Sequence, residues 1–243
     1  MGVNLPSRSG NKIDEVQILP RKGVLYHLRG PGHSGKSMRA FAEAWTAMVL
    51  MNGEYVHWID GACRFNPATI IKNFPHSIPD SEQLLHGLFV GRGFTVHQFA
   101  HLIERLQHEI KITRAKLVVI DGPITMHLDP QINDYESRSL LRKSMNILSQ
   151  IAVKYNTSLV VITSNKPYSQ RHASLLTMVE NRCPISLLGK PRRINGEKKL
   201  WLLHLPSRSS GYYEQRSDQE TLYESTSKVI HSRLSIERIE EIE

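Results

Sequence analysis

Cysteine is scarce in this chain. Cys63 and Cys183 are the only two among 243 residues. Two thiols form no disulfide framework of the kind small secreted domains need, so a reducing compartment is expected and secretion is not. Long apolar runs are also missing. No stretch approaches the roughly 20 residues that span a bilayer, and Met1-Gly2-Val3-Asn4-Leu5-Pro6-Ser7 holds no apolar signal core. Ser7 is off the spacing that follows Gly2 in myristoylation. No membrane partner is therefore expected. Internal repeats and low-complexity segments are absent too, which sets aside solenoids and disordered tracts.

Apolar residues make up 40% of the chain, enough for one globular domain with a sizeable core. Residues 1–20 are polar, with Pro6, Gly10 and Pro20, and read as a lead-in. Residues 21–215 read as the core and 216–243 as an acidic tail or partner-binding helix. The chain carries 31 Lys and Arg against 23 Asp and Glu, a net charge of +8, and the excess is unevenly spread. From Lys166 to Arg216 ten bases face three acids, 10 − 3 = +7; from Ser217 to Glu243 three bases face seven acids, 3 − 7 = −4. A local basic block suits a polyanion, most often nucleic acid, and is equally the mark of a solvated basic face.

The densest signal is Gly30-Pro31-Gly32-His33-Ser34-Gly35-Lys36-Ser37. It fits G-x-x-x-x-G-K-[ST], in which glycines let the backbone wrap an anion, Lys36 reaches the terminal phosphates and the Ser37 hydroxyl ligates Mg²⁺. Gly30, Gly32, His33, Ser34 and Gly35 would line the nucleotide with Lys36 and Ser37. His33 contacts nucleotide or merely fills an exposed loop position. Gly23 to Arg29 before the loop reads as a strand. Ser37 to Met51 after it, with Met38, Phe41, Trp45, Met48 and Val49, reads as a helix whose N-terminal dipole favours an anion.

Strand patterns recur at Tyr55–Asp60, Leu88–Val90, Lys116–Asp121 and Thr157–Thr163, and helical patterns at Val96 to Ile112 and Tyr135 to Tyr155. Continuous apolar strands separated by helices predict an α/β fold with a mostly parallel central sheet covered on both faces. Ile185–Leu188 and Lys199–His204 flank a turn at Arg192–Gly196 and predict a C-terminal β-hairpin. Asp121, ending a buried strand, is either the acid that holds Mg²⁺ opposite Ser37 or a cap at a strand-helix turn. Cys63 reads as a small buried residue.

Four stretches, Gly30–Ser37, Tyr55–Pro67, Leu117–Asp121 and Leu159–Asn165, together resemble the ATPase core of the RecA/RadA recombinase superfamily, in particular its short RadB-like paralogs. Tyr55 to Pro67 looks like the family's "Tyr-Ile-Asp-Thr-Glu-Gly-x-Phe-x-Pro", and Leu159 to Asn165 like its strand ending in "Ile-Thr-Asn-Gln". The resemblance implies a RecA-like P-loop core, ATP and Mg²⁺ as cofactors, DNA as partner and a role in homologous recombination or repair, in the cytoplasm at the nucleoid or in the nucleus. A recombinase of the same family or a second copy of this chain is the protein partner it implies.

The departures set the activity. The family's water-polarising glutamate falls on Ala62, whose methyl cannot orient water. Asp60 is the nearest substitute, so Lys36, Asp60 and Asn165 are the catalytic candidates and slow ATP hydrolysis is expected. Asn165 falls at the family's sensor glutamine, and equally reads as a turn residue. The family's two DNA-binding loops correspond to Leu128–Ser137 and Lys166–Pro184. The second supplies Lys166, Tyr168, Arg171 and Arg182, and the adjoining basic turn Arg192 and Arg193. Phe41-Ala42-Glu43-Ala44 spells the family's polymerisation motif but lies on the helix after the phosphate loop, where it reads as core. A DNA-independent KaiC-like ATPase or signalling module is the rival reading. A small-molecule phosphotransferase is a weaker rival, because the chain shows no clear arginine-rich lid and Arg192-Arg193 is only superficially like one.

Overall fold

The structure is a computed structural model and describes residues 3–4, 19–75, 78, 80–194 and 197–213. The acidic tail at 216–243 and most of the lead-in lie outside the described residues. Among those described, nine strands form one sheet in the order β1-β9-β8-β7-β2-β6-β5-β3-β4. The parallel part runs from β4 (Leu88–Arg92) through β3 (Val56–Asp60), β5 (Leu117–Asp121), β6 (Ser158–Ser164) and β2 (Leu25–Gly30) to β7 (Ile185–Ile194). β8 (Glu197–Leu205), β9 (Ser210–Tyr213) and β1 (Val3–Asn4) extend it antiparallel. The chain thus has the expected α/β fold with a mostly parallel sheet and a β7–β8 hairpin.

The apolar strands are continuous because both faces are buried. Leu117, Val119, Val160 and Ile162 pack on one face with Phe41, Trp45 and Met48 of α1 (Arg39–Met51). The residues between them, Val118, Ile120, Leu159 and Val161, pack on the other with Phe99 and Ile103 of α3 (Val96–Thr113), Leu141 and Met145 of α4 (Asp134–Tyr155), and Leu175 and Val179 of α5 (Gln170–Glu180). Phe41, Ala42 and Ala44 are wholly buried, as the rejection of a polymerisation motif there requires. A short helix, α2 (Pro67–Ile71), follows β3. No helix among the described residues is long and apolar enough to cross a membrane.

Three local readings are corrected. Lys166–Pro184 is not a loop throughout, because α5 occupies most of it. Ser169 caps the helix by accepting from the His172 N–H at 3.1 Å, and Leu175, Leu176 and Val179 are buried. Arg192 and Arg193 are not turn residues, since β7 continues to Ile194 and Ile194 registers with Glu197. Cys63 is exposed rather than buried, at a position with φ 52 where the chain turns away from β3.

Candidate nucleotide site

Parallel strands end at one edge, and the carboxyl edge gathers Gly30, Asp60, Asp121 and Ser164. Asp60 registers with Asp121, and Gly30 with Ser164. After β2 the chain turns to α1 on one face, and after β6 to α5 on the other. Such a divergence marks the place where open α/β sheets commonly bind ligands.

The loop after β2 is tightly wound. It winds through a tight 3-10 turn, His33–Met38, before α1 begins at Arg39, two residues later than the sequence suggests. Ser34 and Gly35 both have positive φ, 47° and 75°. A Cβ on Gly35 would lie 2.1 Å from the Thr163 carbonyl oxygen, so only glycine lets the loop lie against β6 there. The Gly35 N–H donates to Gly32 O and the Ser37 N–H to Pro31 O, at 3.1 and 3.3 Å, while the Asn165 N–H ties the end of β6 to Gly30 O at 3.0 Å. Lys36 and His33 are exposed at the mouth. The Ser34 hydroxyl lies 2.7 Å from that of Thr125.

The pair expected to hold Mg²⁺ does not stand ready for it. Asp121 is fully buried, and Arg64 reaches both its oxygens, with Nε 3.1 Å from Oδ2. Arg39 Nε adds a second cation 3.0 Å from Oδ2. Burial pushes the Asp121 carboxyl above its ordinary range, and the two guanidiniums pull it back. The Ser37 hydroxyl donates to the Pro31 carbonyl at 2.9 Å. Donating leaves the Ser37 oxygen its lone pairs, so the misfit to a divalent cation lies at Asp121, a buried carboxylate already paired with two guanidiniums.

Arg64, which the sequence reading passed over, is the centre of the site. Its Nη1 donates to His33 O at 2.6 Å and its Nη2 to Ser34 O at 2.9 Å, so one guanidinium joins Asp121 to the apex of the phosphate loop. A lone arginine two residues past Ala62, at the carboxyl end of β3, was the available signal.

Asp60 is engaged within the fold. Its oxygens accept from the Arg64 and Phe65 N–H groups at 3.2 and 2.9 Å and from Arg92 Nε at 2.9 Å, so it anchors the turn after β3. Ala62 offers only a methyl, packed toward Gly122. Asn165 spends its amide N–H on Gly189 O at 2.9 Å, which links the end of β6 to β7.

The basic residues divide. Lys166 and Tyr168 are exposed beside the carboxyl edge, with the Tyr168 ring 4.4 Å from that of His172. His172 bonds Ser164, and burial lowers its pKa, with His33 adding to the effect. Arg171 is drawn back to Asp134, 3.2 Å away. Arg182 is bonded to Asn146, about 18 Å along α4 from Asp134 at 1.5 Å per residue, toward the amino ends of the strands. Arg192 and Arg193 are exposed, and the Arg192 guanidinium lies 4.7 Å from the Trp201 ring centroid. β7 pairs with β2 only over Ile185–Leu188, so its continuation to Ile194 overhangs the carboxyl edge with Lys190, Arg192 and Arg193.

A scan against protein-family models and a search of curated proteins both find no match to this chain.

Proposed function

We propose that this chain is an ATP-binding, DNA-binding protein of the RecA-like P-loop class, a recombinase paralog that assists homologous recombination or repair and turns ATP over slowly. The observation that carries the reading is convergence. The phosphate loop, Lys166, Tyr168 and the overhanging basic strand of the hairpin all lie at one sheet edge, and the Asn165 side chain bonds the nucleotide half of that edge to the strand bearing Arg192. Gly30 to Ser37 holds the phosphates and Lys36 supplies charge to them. Slow turnover follows from Ala62 and from an Asp60 whose oxygens already hold backbone and Arg92. Tyr168 and the Arg192–Trp201 pair offer π surfaces on which bases of a single strand stack, and the cations meet its phosphates. The sheet edge at β4, where Phe89 and Val90 are 40% and 44% exposed, suits the protein partner, a related recombinase or a second copy.

The test is the salt dependence of single-stranded DNA binding. Lys166→Ala and Arg192→Ala should each flatten the log–log slope by roughly 0.7 to 1. Arg182→Ala, far from that edge, should leave it unchanged. An Arg182 effect as large as the others would mean that a diffuse basic surface binds DNA. No DNA binding at low salt would favour the DNA-independent, KaiC-like reading.

A further inference from the structure

A divalent cation needs oxygen ligands with free lone pairs, and magnesium needs them at about 2.0–2.1 Å in near-octahedral array. Here Asp121 is buried and bonded through both oxygens to Arg64, with Arg39 beside it. Admitting a metal would strip a buried carboxylate of guanidiniums that already neutralise it. Arg64 also does the mechanical work a bridging cation would do. It joins the strand-end acid to the phosphate loop, and by holding the His33 carbonyl it turns the Ser34 N–H of the same planar peptide the opposite way.

We propose that nucleotide binding by this chain is independent of divalent metal, with Arg64 as the resident cation that bridges Asp121 to the phosphate loop. The inference rests on the nucleotide-binding reading above. Arg64 is a positioning residue, acting on the phosphates through the loop it holds.

The experiment is calorimetric titration of the full chain with ATP, once with Mg²⁺ and once with excess EDTA, on the wild type, Lys36→Ala and Arg64→Gln. Wild-type affinity should differ by less than about tenfold between the two conditions, and Arg64→Gln should weaken binding by about tenfold or more in both. Circular dichroism checks that the variant is folded; if it is not, the wild-type comparison decides alone. Binding with Mg²⁺ that weakens by about tenfold or more in EDTA overturns the inference and leaves the nucleotide reading standing. No binding by the wild type in either condition overturns the nucleotide reading itself, and this inference with it.

Discussion

Gly35 shows how much one missing side chain decides. Its φ is +75°, and the space a Cβ would take is filled by the Thr163 carbonyl. The left-handed conformation alone costs an alanine about 1–2 kcal/mol, and the steric conflict with rigid backbone adds to that. Gly35→Ala should therefore lower stability in urea unfolding by at least that much and abolish nucleotide binding. An alanine variant of wild-type stability would contradict the loop geometry. Buried histidines give a second test at this scale. His27, bonded to the Thr163 hydroxyl at 2.7 Å, has its pKa pushed to about 3 by burial, with Arg29 adding to the effect. Burial takes His127 to about 4, against the opposing bond to Ser137 O. Both are neutral when folded and take up a proton below pH 6.5 when unfolded, so the unfolded chain binds more protons in acid. Stability is whole above pH 6.5 and falls as pH drops toward about 4 and 3, by roughly 1.4 kcal/mol per pH unit for each histidine. The double variant His27→Gln, His127→Gln should show a correspondingly shallower acid slope in urea unfolding, and an unchanged slope would refute the assignment.

At the scale of elements, what could be read from sequence was what local patterning dictates. The runs at Leu117–Ile120 and Leu159–Ile162 announced strands buried on both faces, and α3 and α4 stood out by their apolar spacing. α5 was hidden because its first turn, Gln170-Arg171-His172, is polar and its apolar stripe short, although Ser169 was there as a cap. Its presence explains why one basic segment serves two places: a helix that begins beside β6 and returns to the start of β7 carries Lys166 and Arg182 apart. The reach of β7 was hidden for a different reason. Past Leu188 it no longer pairs with β2, so Lys190 to Ile194 lack the apolar run of a covered strand. The glycine-rich loop between β2 and α1 was legible in spelling and position, while the neighbours of Asp121 were not. Arg39 and Arg64 come from different elements and meet that carboxylate only when α1 and the turn after β3 pack over the end of β5.

Over the whole molecule, the sheet places the glycine-rich loop after β2 and a basic, aromatic-bearing surface at one edge and joins them through hydrogen bonds from Asn165 to Gly30 and Gly189. Under the proposed function, nucleotide and DNA share that wall, and ATP acts chiefly as a ligand that sets the shape of the edge. The most direct test measures ATP binding and turnover together, with and without single-stranded DNA, on the wild type and Lys36→Ala. The predicted result is ATP binding that Lys36→Ala weakens by about tenfold or more, with turnover that stays slow when DNA is added. Fast turnover stimulated by DNA and abolished by Lys36→Ala would contradict the weight placed on Ala62. Absence of ATP binding in the wild type would contradict the site itself.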